Sequence, residues 1–109
     1  MKAILCKQYG PPETLVLEDV PSPQPGKGQV VVSVKACGVN YPDTLIIQGK
    51  YQFKPPFPFS PGSDTAGVVK AVGPGGERFR AGDRVNGFSL WGGFAEGVLV
   101  ESEVGRAHV

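Results

Sequence analysis

Glycine and proline set the strongest limit on what this chain can fold into. The 16 Gly and 11 Pro make up 27 of its 109 residues. They have no period, and they stand at the ends of short β-branched runs, so the chain reads as many short strands joined by turns rather than as low-complexity sequence. Within that punctuation the clearest strand is Gln29 to Val39. Val30, Val32, Val34 and Ala36 fall on one face and Val31, Ser33, Lys35 and Cys37 on the other, an apolar face backed by a mixed one.

The remaining segments follow from the same signals. Met1 to Tyr9 reads as a first strand ended by Gly10-Pro11-Pro12, and Leu15, Leu17 and Val20 mark a second run stopped by Pro21, Pro23 and Pro25. Asn40 reads as a helix N-cap, with Pro42 at an early helical position and Asp43 complementing the dipole; Leu45, Ile46 and Ile47 continue the turn and Gly49 stops it. Lys50 to Pro61 carries Tyr51, Phe53, Phe57 and Phe59 among prolines, which reads as an ordered loop packed through its rings. Thr65 to Val72, Arg84 to Phe88 and Phe94 to Val100 read as further strands, with turns at 73–76 and 81–83. The tail from Glu101 carries little pattern. About six or seven strands and one short helix predict a mainly β chain, a small partly open barrel or sandwich.

At this length the chain holds one domain, residues 1–109. A net charge of +1 gives no electrostatic case for nucleic acid or an anionic membrane as partner. No apolar run approaches the roughly twenty residues needed to span a bilayer, and the first residues lack a signal-peptide pattern, so the expected location is cytoplasmic. Cys6 and Cys37 make no disulfide framework and are expected as thiols.

Three phosphate-binding or nucleophile patterns fail. Gly73-Pro74-Gly75-Gly76-Glu77-Arg78 begins like a dinucleotide fingerprint, but its sixth position is arginine and no helical period follows. There is no Walker A lysine and no Gly-x-Ser-x-Gly elbow. Two other stretches hold the polar groups that chemistry needs. Ser60 to Gly73 opens on a Pro61-Gly62 turn and places Ser63 and Asp64 at the mouth of a strand. Cys37 to Asp43 places a thiol, an amide and a carboxylate at a strand-to-helix junction. Each also has a purely structural reading, as a strand-capping turn in the first case and as a buried thiol, an N-cap and a helix-start charge in the second.

Read in order, Cys37-Gly38-Val39-Asn40, Gly49-Lys50-Tyr51, Pro61 to Val69, Val72-Gly73, Gly82-Asp83-Arg84-Val85 and Gly92-Gly93-Phe94-Ala95-Glu96 match a known pattern. With this spacing the chain resembles the catalytic, GroES-like domain of the medium-chain dehydrogenase/reductase superfamily, most closely its zinc-independent quinone oxidoreductase branch. The resemblance covers essentially the whole chain and implies a GroES-like, partly open β-barrel with one or two short helices.

The same resemblance implies a function. Zinc-dependent relatives place a histidine where this chain has Ser63, a poor zinc ligand, and the four-cysteine lobe that holds a structural zinc is missing. The only histidine is His108. No metal is therefore expected, although Cys37, Asp43 and Asp64 are the side chains that could ligate one. The implied chemistry is hydride transfer from NADPH to a quinone or enone, the carbonyl being polarised by hydrogen bonds alone. Asn40, Asp43 and Tyr51 are the expected catalytic residues, with Asn40 and Tyr51 as donors; Asn40 and Ser63 would lie against the cofactor. Tyr51, Leu45 and Trp91 would line the substrate pocket, and Leu45 stands where some quinone oxidoreductases carry a tyrosine.

Members of this superfamily continue into a Rossmann domain that binds most of the NADPH, and the chain is expected to be a fragment or truncated product lacking it, inactive alone. Homo-oligomer formation is left open for a full-length protein. A zinc-dependent alcohol dehydrogenase domain, an enoyl thioester reductase domain and a non-enzymatic GroES-like assembly module are the alternatives.

Overall fold

The computed structural model describes residues 1–75, 78–101 and 106–107. Within them the chain forms seven strands, one α-helix and one 3-10 turn. The strands are β1 (Lys2–Leu5), β2 (Val16–Asp19), β3 (Gln29–Cys37), β4 (Asp64–Val72), β5 (Arg84–Phe88), β6 (Gly97–Glu101) and β7 (Arg106–Ala107). The helix, α1, is Tyr41–Ile46, and the 3-10 turn is Pro12–Thr14. The mainly β reading and the short helix both hold, and β7 adds a strand in the tail, where the sequence carries little pattern.

Two sheets divide the strands. One is the β1–β2 ribbon; the other has five antiparallel strands in the order β6-β3-β4-β5-β7. Single bridges, Ala3 to Ala95 and Cys6 to Phe59, tie the ribbon to the rest. The sheet does not close on itself, which is the partly open form of the expected barrel.

β3 is the central strand, paired with β4 on one side and β6 on the other. Val30, Val32, Val69, Phe79, Val85, Val98 and Val100 bury one another against its inner face. The alternation expected along Gln29 to Val39 holds through Val34, with Val30 and Val32 in this core and Val34 packed against it, and the β3–β4 register shifts between Val31 and Val32 and again between Val34 and Ala36. Such shifts rotate the following side chains relative to the partner strand. Val31 is buried outside this core, and past the second shift Ala36, expected on the apolar face, is exposed.

A second core, Cys6, Ile46, Ile47 and Phe59, packs α1 and the 50–61 loop against the end of β1, with Leu15, Tyr51 and Trp91 at its margin. The loop aromatics pack on one another as expected. Tyr9 stands edge-on to Phe57 with centroids 4.8 Å apart, and Phe57 stacks on Phe59 at 5.9 Å. Gly49 ends the helix in a left-handed conformation, φ +70°. Its N–H donates to the Ile46 carbonyl and that of Lys50 to the Leu45 carbonyl, the paired bonds of a Schellman stop. Cys6 and Cys37 are both free thiols. Among the described residues no helix is long and apolar enough to cross a membrane.

Candidate functional site

The two polar stretches singled out in the sequence meet at one end of the central sheet. Cys37 at the end of β3 pairs with Thr65 near the start of β4, and the Gly38 N–H donates to the Asp64 carbonyl at 2.9 Å. The chain then turns through Val39 and Asn40 into α1, so the first residues of the helix stand beside the entry to β4.

Asn40 occupies the N-cap with extended backbone, φ −120° and ψ 163°, in a capping-box arrangement with Asp43. Asp43 Oδ2 accepts the Asn40 main-chain N–H at 2.9 Å, and Asp43 is only 5% exposed. The Asn40 side chain reaches across to the sheet, its Nδ2 donating to Asp64 Oδ2 at 2.9 Å. The expected cap residue thus links helix and strand.

Beside this pair lies a small cavity of about 80 Å³, lined by Pro42, Asp43, Ile46, Tyr51, Ser63, Phe88 and Leu90. It brings together Asp43, Tyr51 and Ser63 from three separate parts of the chain. Tyr51 is half-buried and edge-on to Phe53, with centroids 5.8 Å apart. Ser63 is held through its main chain, whose carbonyl accepts the Ser89 N–H at 3.0 Å. That bond brings the segment after β5 over the cavity and makes Phe88 and Leu90 its apolar wall.

Asn40, Leu45 and Trp91 are not among the residues that line this cavity. Leu45 is half-buried on α1. Trp91 packs at the margin of the Cys6, Ile46, Ile47 and Phe59 core and lines two larger open grooves, of about 350 and 430 Å³. Three contributors escaped the sequence reading of the site: Phe88 and Leu90, and Asp64 as the partner of Asn40. For Asp64 the signal was available in its place at a strand mouth. For Phe88 and Leu90 it was not, because their approach depends on the β4–β5 register, in which Asp64 stands opposite Phe88.

Cys37 is tightly placed at the back of this end of the sheet. Side chains built at Gly62 and Gly93 would lie only 2.9 and 2.8 Å from its sulfur, so the thiol fills the space those glycines leave. Burial first, then the Asp43 and Asp64 carboxylates, push the thiol from an ordinary 9.0 up to about 11. A serine hydroxyl such as that of Ser63 is a poor zinc donor, since the metal takes thiolate, imidazole or carboxylate. Among the described residues no three His, Cys, Asp or Glu side chains converge as metal ligands. His108 lies outside the described residues.

Comparison with known proteins agrees with this fold. Residues 26–106 match the alcohol dehydrogenase GroES-like domain family. The quinone oxidoreductase of Rattus norvegicus is 48% identical over 101 residues, which is 91% of this chain and 31% of the rat protein. A probable oxidoreductase from Mycobacterium abscessus superposes with a TM-score of 0.91 at 46% identity, over 98% of this chain and 34% of that one. The Escherichia coli quinone oxidoreductase, solved with NADPH, gives a TM-score of 0.93 at 29% identity over 100% of this chain and 33% of that one. The chain therefore spans about a third of the length of the relatives it matches. From the GroES-like sheet and the ordered motifs along it, the chain belongs to the alcohol dehydrogenase GroES-like domain family of the medium-chain dehydrogenase/reductase superfamily, among relatives that are quinone oxidoreductases.

Proposed function

We propose that this chain is the catalytic domain of an NADPH-dependent reductase of quinones or enones that works without zinc. The observation that carries the reading is the cavity in which Asp43, Tyr51 and Ser63 converge beside the Asn40–Asp64 pair. The cavity, about 80 Å³, has room for the carbonyl end of an acceptor and not for the whole of one, and Pro42, Ile46, Phe88 and Leu90 give it apolar walls.

Bound NADPH would supply the hydride. The chain's own residues supply hydrogen bonds and exclusion of water. Tyr51 donates from its hydroxyl to the acceptor's carbonyl oxygen, stabilising the negative charge that develops there. Asn40 offers an amide N–H to the same oxygen or to the nicotinamide carboxamide, and Ser63 lies along the cofactor side. Asp43 anchors Asn40 through the main chain and gives the cavity its one buried carboxylate. Most cofactor contacts would belong to a separate Rossmann domain, in keeping with relatives about three times as long, and the chain by itself should turn over poorly. The protein would act in the cytoplasm, on a small-molecule substrate.

The test is to join this chain to the cofactor-binding domain of a quinone oxidoreductase and follow NADPH oxidation with a benzoquinone. Asn40→Ala and Tyr51→Phe should each lower kcat/KM by about tenfold to a hundredfold, the usual loss for a removed carbonyl donor. Unchanged turnover in both variants would remove these residues from the site.

A further inference from the structure

Asn40 is held twice, by Asp43 at its main-chain N–H and by Asp64 at its side-chain amide, and the second holder has no other evident task. Asp64 is exposed at the first position of β4, and its side chain lies outside both hydrophobic cores. Its Oδ2 accepts the Asn40 Nδ2–H at 2.9 Å. An ionised carboxylate can only accept, so it selects which end of the carboxamide faces it: the nitrogen turns to β4 and the oxygen to the start of α1. The bond is charge-assisted, which makes it stronger than a neutral amide contact. Asp64 is itself fixed by its main chain, whose carbonyl accepts the Gly38 N–H and whose residue opposes Phe88 across the β4–β5 ladder.

Two ionisable groups stand near Asp64: Cys37 on β3, which pairs with the adjacent Thr65, and Asp43 on α1, which bonds the main chain of the same Asn40. The ion pairs among the described residues, Lys2–Asp19 and Lys7–Glu18, are on the β1–β2 ribbon side and leave Asp64 to Asn40.

We propose that Asp64 is a positioning residue that sets the facing of the Asn40 carboxamide, so that Asn40 presents its remaining N–H, and not its oxygen, to the acceptor carbonyl or the nicotinamide amide. The consequence for turnover rests on the reductase reading given above; the orientation itself does not. Without the carboxylate the amide is free to turn over, and a donor is exchanged for an acceptor at the same place. A lone pair facing a developing oxyanion repels it, so the loss appears in kcat rather than in binding.

Two readouts test this. In proton–nitrogen NMR spectra of the 109-residue chain, the Asn40 side-chain amide should show one strongly downfield proton, and Asp64→Ala should abolish that separation while the β4 main-chain signals stay in place. Asp64→Asn, which keeps the shape but not the charge, should reduce it. In the fused enzyme Asp64→Ala should lower kcat by about tenfold, with KM for the quinone within about twofold. An Asn40 amide signal unchanged in Asp64→Ala overturns the proposal, as does a lost signal accompanied by unchanged kcat. If the parent fusion fails to oxidise NADPH, the reductase reading falls and the amide signal alone decides the role of Asp64.

Discussion

At the residue scale the clearest lesson is Cys37, whose surroundings decide its chemistry. A cysteine beside a candidate site suggests a nucleophile or a metal ligand, yet its thiol is wedged above Gly62 and Gly93 and faces two carboxylates. With its value moved from 9.0 to about 11, it should carry about a hundredfold less thiolate than an ordinary cysteine at pH 8. Alkylation by iodoacetamide under native conditions should be slower by about that factor and rise to the ordinary rate in urea. The sign of the pH effect follows. Below 9.0 both folded and unfolded chains hold the proton and Cys37 contributes no pH dependence; between 9.0 and about 11 only the unfolded chain loses it, so stability falls as pH rises. Urea titrations in that range with Cys37→Ser as the reference should show a shallower decline in the variant. Equal slopes would mean the thiol ionises freely in the fold.

The elements are held by close backbone approach as much as by side chains. Gly67 in β4 sits where the β3–β4 register is about to shift, and an added Cβ would meet the Ser33 carbonyl oxygen at 2.1 Å. No rotamer relieves a contact with main chain, so Gly67→Ala should cost about 3 kcal/mol or more and weaken the pairing that brings Cys37 and Asp64 together. At the helix stop the obstacle differs in kind. Gly49→Ala keeps its left-handed backbone against a penalty and meets the Tyr9 ring, itself packed on Phe57, at 3.0 Å, so about 1–2 kcal/mol is expected. Chemical denaturation of the two variants gives the comparison directly; equal losses would show that β4 can move away from β3.

For the molecule as a whole, stability and chemistry are placed at different ends. The valine core under β3 holds the sheet, and Val32, fully buried, sits at its centre. Val32→Ala should cost about 2 kcal/mol in unfolding free energy. The candidate site lies at the other end of β3, where Phe88 is half exposed and Leu90 41% exposed beside the cavity. With half its surface open to solvent, Phe88 contributes little apolar burial to folding. Phe88→Ser should therefore leave stability within about 0.5 kcal/mol while altering acceptor binding in the fused enzyme. A large loss of stability would assign Phe88 to the core instead.

Much of this was legible before any coordinates. Short-range chemistry was enough for the strand endings at Gly and Pro, the Asn40 cap, the Gly49 stop and the Arg84–Phe88 strand, because each depends on φ preferences or on side chains within a few residues. The ordered motifs also carried the family. The alternation along β3 misled at Ala36, because bulges arise from pairing with a neighbour and leave no local mark. What only the tertiary structure decided is who stands beside whom: Asp64 under the Asn40 amide, Phe88 and Leu90 over Ser63 and Tyr51, Trp91 in an adjoining groove that shares Phe88 and Leu90 with the cavity. Those neighbours come from residues 24 or more positions apart, joined by sheet register. The sequence by itself determined the turns, the strands and the kind of chemistry available, since these are properties of short segments; the facing of each site group had to wait for the sheet, since a one-residue change of register turns a side chain to the opposite face.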